Sequence, residues 1–540
     1  MNNIEFATIK KDDSKIDTLA QHIHGLIGNP VSVWAVAATI ESIGIREKDV
    51  LQDFGYKSLY DLASEIYRIL KNEKYRTSVI ENNDSDFNES VLLDNIISFL
   101  KYYGLGLLVT IPLLSQIASL FIFDYSLWAW IHLNKAQATM IAIGVISSFI
   151  ITGGFVQVIG REINRYIGMG DYGLAKKLTR QILLIGGITI ICSQSCFYFL
   201  NMLFYFYPIN MVTLSVIYGC LIGFMILLSS VLYTLEQIKS ITIAVIIGTG
   251  LVVTGIKLMH LNMYIAQWMG LGATDLILVF YMRSYFSKMT HSNPKDTADI
   301  LPQIEVIYYR NYRYFLYGIL YFSFIFMDRI IAWSTGKPPT SFIIWFNTPY
   351  ELGMDWALLG LIATVGVLEY DIHLFSERIQ YFQKRATYDQ IPKFNAYFMK
   401  LYKHQVLILI GMNIISVMAA YYAIHSLKPY GNEYPLIKDF FASPITSNVF
   451  WLASLGYIFF SIGLLHTLYC FTLARPGYVV FSLLISLISN FSIGFIMSRL
   501  ISPEYAITGL VTGSVVFALL TGWYITKSFH RMDYFYFSAY

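Results

Sequence analysis

Charge is what this sequence has least of. Only 14% of its 540 residues are Asp, Glu, Lys or Arg, against about 25% in soluble domains. A chain so poor in charge cannot cover a water-facing globule. With 56% hydrophobic residues and a mean hydropathy of +0.54, most of it must be solvated by lipid. The formal net charge of +3 is small and dispersed, which excludes the basic footprint of a nucleic-acid binder. Cysteine is scarce. Cys192, Cys196, Cys220 and Cys470 all fall in apolar runs and read as small membrane-buried hydrophobes, not a disulfide framework or a metal site. There is no G-x-x-x-x-G-K-[ST] loop, so the chain shows no sign of hydrolysing ATP itself, and no G-x-S-x-G elbow. The expected cytoplasmic loops are too short and basic to hold a nucleotide-sugar through a metal. These absences point away from an enzyme and imply no cofactor. The first residues have no apolar core behind their lysines, so a secretory signal is not expected there.

What is present begins with a polar N-terminal stretch, residues 1–95. Apolar residues recur at helical spacing over Ser32–Ile43 and Lys48–Leu70 (Val50, Leu51, Phe54, Leu59, Leu62, Ala63, Ile66, Leu70). Asn29-Pro30 and Gly44 punctuate them, and residues 81–89 form a polar linker. The expectation is a small helical cytoplasmic extension, a candidate docking arm.

From Tyr102 onward, charge-free windows of membrane length follow one another. Gln181–Leu235 is too long for one span and should break at Asn201–Asn210, around Pro208. The total is twelve transmembrane helices. The windows ending before Asp328 and starting after Asp355 reach full length only if those charges lie near a membrane surface. With the N-terminus inside, the inner segments after spans two, four, six, eight, ten and twelve hold 20 Lys and Arg and the outer ones 6, or 7 with Arg329. That imbalance is what the positive-inside rule expects, with both termini cytoplasmic. A charged loop near the middle divides the spans six and six. The expected architecture is all-α: an extension (1–95), a six-helix lobe (96–287), a linker (288–312), a second six-helix lobe (313–530) and a tail (531–540). Two such lobes with a path between them are a common transporter plan.

The candidate path residues are the polar groups inside or closing the spans. Residues 136–160 carry Thr152-Gly-Gly-Phe-Val-Gln157, then run into a basic stretch that starts at Arg161. The glycines read as a packing notch between helices, and Gln157 wants a protein or water partner. Asp275 lies about two-thirds along the window 258–281. A charge at the bilayer centre costs roughly 2.5–3.5 kcal/mol, so Asp275 is either a coupling or path-lining carboxylate or one locked to another helix. His466 reads as a hydrogen-bonded core residue ahead of a proton relay. Asn413 and Asn490 read as interhelical glue. Asp328 and Arg329 face different sides of one helix and need separate partners, with Glu351 or Asp355 suited to Arg329. They form an outer gate or an interfacial anchor with Trp333 and Trp345. Arg161 and Glu369 close their spans on the inner side and form a candidate inner-gate ion pair. Aromatic clusters at Phe204–Tyr207 and Tyr534–Phe537 read as interfacial belts.

Three segments carry a resemblance. Ile151-Thr-Gly-Gly-Phe-Val-Gln-Val-Ile-Gly-Arg161 followed by Gly168-Met-Gly-Asp171 is similar to the second helix of the Pel exopolysaccharide transporter (PelG) family. Tyr317 to Trp333, with its Asp328-Arg329-Ile-Ile-Ala-Trp333 end, resembles that family's seventh helix. Tyr350-Glu351-Leu352-Gly-Met-Asp355 leading to Glu369 is the third match. The likeness runs from about residue 95 to the end. It implies a multidrug/oligosaccharide-type flippase fold and export of an exopolysaccharide across the cytoplasmic membrane. The implied partners are a cytoplasmic glycosyltransferase and other membrane subunits of a synthase complex. The first ninety or so residues have no counterpart in the family, and Tyr370-Asp371 replaces the usual polar residue after Glu369. A cation-coupled multidrug antiporter of the same superfamily and a scaffold for a synthase complex are the alternative readings.

Overall fold

The computed structural model describes residues 13–28, 30, 32–71, 92–292, 303–335, 343–385, 391–431 and 435–537. Four helices build the N-terminal unit: Asp13–Ile27 (α1), Val33–Ser42 (α2), Glu47–Asp49 (α3) and Leu59–Lys71 (α4). Helix α1, which was not expected, buries Ile16, Leu19, Ala20, Ile23 and Ile27 along one stripe. Ser32 caps α2, its Oγ accepting from the Ala35 amide at 3.1 Å. Residues 48–70 are not one helix. A π turn over Val50–Phe54 ends on Gly55, whose φ of +73° is cheap only without a Cβ. The Ser58 hydroxyl then accepts from the Asp61 amide and starts α4. The polar linker 81–89 lies outside the described residues.

Among the described residues, twelve helices are long and apolar enough to cross a membrane. The first half supplies Leu92–Phe123 (α5), Lys135–Gly168 (α6), Tyr172–Phe204 (α7), Ile209–Thr234 (α8), Ile238–Lys257 (α9) and Met263–Ser292 (α10). The second half supplies Ile304–Trp333 (α11), Thr348–Arg385 (α12), Ile391–Leu427 (α13), a short Pro435–Ala442 (α14), Pro444–Thr472 (α15), Pro476–Leu500 (α16) and Ile507–Phe529 (α17). A last short helix, Met532–Phe537 (α18), closes the chain. The expected break in 181–235 falls at the α7–α8 turn. Asn201 clips that turn, donating to the Tyr207 carbonyl and accepting from its amide, each at 2.9 Å. Helices α10 and α11 also run into the segment expected as linker, reaching Ser292 and starting at Ile304.

The two halves pack as copies of one plan. In the first, α6 packs on α7 and α8, α8 on α10, α9 on α10, and α5 on α9. In the second, α12 packs on α13 and α15, α15 on α17, α16 on α17, and α11 on α16. Each pair has its counterpart six spans later, so the repeat lies in the packing although the sequences of the halves have diverged. The lobes meet through two crossings, α6 with α11 and α5 with α12, as a two-fold relation between repeats requires. Asn413 donates to Ser461 and Asn490 to the Phe324 carbonyl, both between helices.

An even number of spans puts the N-terminal unit and α18 on one face, and α2 packs on α18. This is the termini face; the opposite one is the far face. Trp34 lies edge-on to Tyr534 at 6.0 Å and against Tyr60 at 5.0 Å. Tyr534 therefore ties the N-terminal unit to the end of the chain instead of standing in an aromatic belt. In the other expected belt, Phe204 and Tyr205 are exposed and Tyr207 is buried.

Candidate functional site

Glycines decide where the lobes close. At the α6–α11 crossing a Cβ on Gly318 would collide with the Gly153 carbonyl, and one on Gly153 would sit 2.5 Å from the Gly318 carbonyl oxygen. At the α5–α12 crossing a Cβ on Gly106 would lie 2.6 Å from the Gly366 Cα. Both crossings fall near the middle of their helices. The notch at Gly153-Gly154 is thus the lobe seam, with Gly154 covered by the Phe315 ring.

Polar groups seal the seam further toward the termini face. Glu162, fully buried on α6, accepts from Arg310 Nε at 3.1 Å and from Asn311 Nδ2 at 2.7 Å, with a second Arg310 bond through Nη2. This ion pair joins the lobes. The expected pair, Arg161 with Glu369, is not formed. The Arg161 guanidinium lies 4.0 Å over the Tyr314 ring, and Glu369 accepts from the Tyr233 hydroxyl at 3.0 Å. Each reaches across the seam, but to an aromatic residue. Arg161 is one residue from Glu162, a turn of about 100° on a helix, and points away from it. Gln157 is half-buried and forms no side-chain hydrogen bond with the described residues.

On the far side the lobes part around a cavity of about 330 Å³. Its lining includes Trp128, Trp130, Lys135, Phe326, Arg329, Trp333, Phe346, Glu351 and Asp355. One wall is a charged network inside the second lobe. Arg329 pairs with Glu351, and its Nη1 and Nη2 each donate to Asp355 at 3.2 Å. The Trp333 indole donates to the other Glu351 oxygen at 2.8 Å. Asp328 turns the other way and accepts from the Tyr350 hydroxyl at 2.6 Å. The neighbours thus take separate partners, but all of these lie on α11 and α12, so the network does not bridge the lobes. Trp333 is buried at 1% exposure and is no interfacial anchor. Trp130 Nε1 and Arg329 Nε, on two of the lining residues, are buried, and the Arg329 side chain also lies against the Tyr457 hydroxyl.

The lobes touch again at the far rim. Ile344 donates its amide to the Tyr207 hydroxyl and accepts from it, both at 3.0 Å, and the Phe346 amide donates to Thr139 Oγ1 at 3.1 Å. Tyr207→Phe should remove both bonds to Ile344 and leave the fold intact. Hydrogen exchange at the Ile344 amide should speed up about fivefold, the effect of one ordinary hydrogen bond. Unchanged exchange would show that the segment is held by something else.

The remaining candidates stand apart from the cavity. Asp275 is half-buried in α10, its Oδ1 has no partner, and no cation pairs with it among the described residues. The reading that locks it to another helix therefore has no bond to rest on. His466 is held at both nitrogens: Thr521 Oγ1 lies 2.9 Å from Nδ1, and the Tyr402 hydroxyl 2.9 Å from Nε2. Thr521 already donates to the Phe517 carbonyl at 2.6 Å, so its oxygen accepts from Nδ1–H. This is a hydrogen-bonded core histidine. Sequence reasoning missed Glu162 and Asn311, and also Asp371, which is fully buried with both carboxylate oxygens unpartnered. The signal for Glu162 was an acid two residues past a membrane-length window.

No protein-family model matches the chain, and no curated protein matches it. Solved structures do. The chain is similar to the eukaryotic MATE transporter AtDTX14, with a TM-score of 0.56, 13% identity, and 82% of this chain and 98% of that one covered. It is similar to an outward-facing multidrug resistance MATE family transporter of the MOP superfamily, at 0.55, 13%, 81% and 96%. A MOP superfamily transporter from Pyrococcus furiosus, described as having a binding pocket of reversed polarity, matches at 0.54, 13%, 80% and 96%. These likenesses leave the Pel-type resemblance of individual motifs where the sequence put it. What they establish is that this all-helical, twelve-span chain has the fold of the MATE transporters of the MOP superfamily.

Proposed function

We propose that the chain exports polysaccharide across the cytoplasmic membrane by alternating access, with both termini cytoplasmic and a glycosyltransferase as its supplier. The observation that carries this reading is the far-side cavity. Sugar rings present C–H faces that stack on aromatics and hydroxyls that need donors and acceptors. The cavity is lined by Trp128, Trp130 and Phe346, whose rings are flat faces, and by the Lys135 ammonium and the Asp355 carboxylate as donor and acceptor. Its volume is at the lower end of the roughly 300–1,000 Å³ of small-molecule sites. That fits a short saccharide segment gripped at each cycle. Asp328, Arg329, Glu351 and Asp355 hold that wall in shape, and the seam at Gly153, Gly318, Glu162 and Arg310 is the barrier on the cytoplasmic side.

One observation favours a second reading. Asp275 carries an orphaned carboxylate oxygen inside the first lobe, which suits a coupling cation and hence a multidrug antiporter. The test is to delete the chain in its host and quantify secreted polymer and lipid-linked or cytoplasmic glycan. The complements are wild type, Trp130→Ala and Asp275→Asn. Secreted polymer should vanish, return with wild type, and return at about a tenth with Trp130→Ala, which loses a stacking face. Unchanged polymer with increased sensitivity to cationic dyes would reject export and establish the antiporter.

A further inference from the structure

A second cavity, of about 660 Å³, lies between α6, α7 and α11 on the outer surface of the bundle, in its termini-face half. Its walls are almost wholly apolar: Phe155, Val158, Leu178, Ile182, Ile185 and Phe315. The neighbouring α7 residues Leu184, Ile188 and Ile191 are exposed, so this side of the bundle faces lipid. At one end the chemistry changes. Glu305, Gln181 and Asn311 line that end. Asn311 is 1% exposed; its Nδ2 is committed to Glu162 and to the Ile307 carbonyl, while its Oδ1 has no donor. Gln181 Oε1 is buried without a donor as well.

Two acceptors that line this groove, Gln181 Oε1 and Asn311 Oδ1, are buried without donors, and the carboxylate that lines it is Glu305. Arg310, next to Asn311 in the chain, is spent on Glu162. The end therefore asks for a cationic donor with several N–H groups. Its depth matches: Gln181 stands about four residues, or roughly 6 Å, from Ile185 toward the helix start, and Tyr308 and Tyr309 are exposed beside it, as aromatics at a membrane interface are. Polar acceptors at interfacial depth with an apolar trough toward the midplane are the outline of one lipid.

We infer that this groove binds a phosphatidylethanolamine molecule from the termini-face leaflet. One acyl chain lies along Phe155, Ile182, Ile185 and Phe315. The ammonium group donates to Gln181 Oε1 and Asn311 Oδ1, beside Glu305. A primary ammonium has three N–H donors. The trimethylammonium of phosphatidylcholine has the same charge and none. Phosphatidylglycerol has hydroxyl donors, but its net negative charge opposes Glu305. The site is distinct from the far-side cavity, and its test needs no transport.

The full chain, purified and placed in nanodiscs containing equal phosphatidylethanolamine and phosphatidylcholine, is examined by native mass spectrometry for lipid retained after release. Wild type should retain one ethanolamine lipid with a preference of about tenfold, the strength of hydrogen bonds from a charged donor. Gln181→Leu, on α7 and outside the Glu162 ion pair, should reduce that preference to near unity while a lipid is still held. Ile185→Trp should fill the trough and abolish retention of either lipid. Equal retention of both lipids by wild type would overturn the inference. So would an unchanged preference in Gln181→Leu, or undiminished retention in Ile185→Trp. Loss of secreted polymer in the export assay bears on none of these outcomes.

Discussion

Gly318→Leu should abolish the proposed export and open the termini-face side of the bundle. The Cβ alone would collide with the Gly153 carbonyl and lie 2.8 Å from the Gly154 amide nitrogen. Both are backbone atoms in the middle of a long helix, so neither can swing aside as a side chain would. Overpacking of this kind costs about 1–3 kcal/mol when side chains can shift, and the rigid geometry here places it at the upper end or beyond. The cost falls only on the state in which α6 and α11 are in contact. A bias of about 3 kcal/mol moves the balance between seam-closed and seam-open states more than a hundredfold. Gly106→Leu should do the same at the α5–α12 crossing. Gly250→Leu is the control, since nothing lies within 4 Å of its added Cβ. The readout is labelling of Gln157→Cys, in a background without the four native cysteines, by a membrane-impermeant thiol reagent from the termini face. Labelling should rise sharply in the Gly318 and Gly106 variants and stay at the wild-type level in the Gly250 variant. Equal labelling in all of them would show that the seam is not the barrier.

Much of this fold was legible because membrane spans are a problem of length and charge. Twelve windows, the break at Pro208 and the six-and-six division follow from where charge is absent, and lipid leaves the backbone no option but helix. The glue residues Asn413 and Asn490 were legible for the same reason, since an amide in a span must find another helix. The N-terminal unit was half legible. The stripe of α4 shows in Leu62, Ala63, Ile66 and Leu70, but the left-handed Gly55 broke the expected longer helix. The stripe of α1 went unread although Ile16, Leu19, Ala20, Ile23 and Ile27 carry the same spacing.

The candidate site was less legible, because sequence names charged residues and does not say which way they turn. Arg329 could be matched with Glu351 and Asp355, since all three lie at the ends of consecutive helices that a short connection brings together. Arg161 and Glu369 were matched on the same logic and failed by one residue. The buried acid that faces the other lobe is Glu162, and its cation came from Arg310, a residue that counting had placed among loop charges. The cavity could not be found at all, since its walls come from four helices and two connecting segments. Only the aromatic content hinted at it.

That displaced ion pair gives the other large effect. Arg310→Met should shift the protein toward the seam-open state and largely stop transport. Glu162 is fully buried and draws three donors from α11, across the seam. Without Arg310 its charge would face only the Asn311 amide. Removing one partner of a buried pair costs about 3–5 kcal/mol, because the other charge is left uncompensated. The cost is again specific to the closed seam, since opening returns Glu162 to water. Glu162→Gln should be milder: Arg310 is partly exposed and can be solvated, and the amide still accepts from Asn311. The double variant Glu162→Gln, Arg310→Met buries no charge, and apolar or neutral replacement of a buried pair is often close to neutral. It should therefore recover much of the transport that Arg310→Met loses. Spin labels on the termini-face ends of α6 and α11 report the separation of the lobes. The distance distribution should broaden and lengthen in Arg310→Met and return toward wild type in the double variant. Effects that simply add would mean that the two residues act separately, and the pair would then not be the lock on this side of the path.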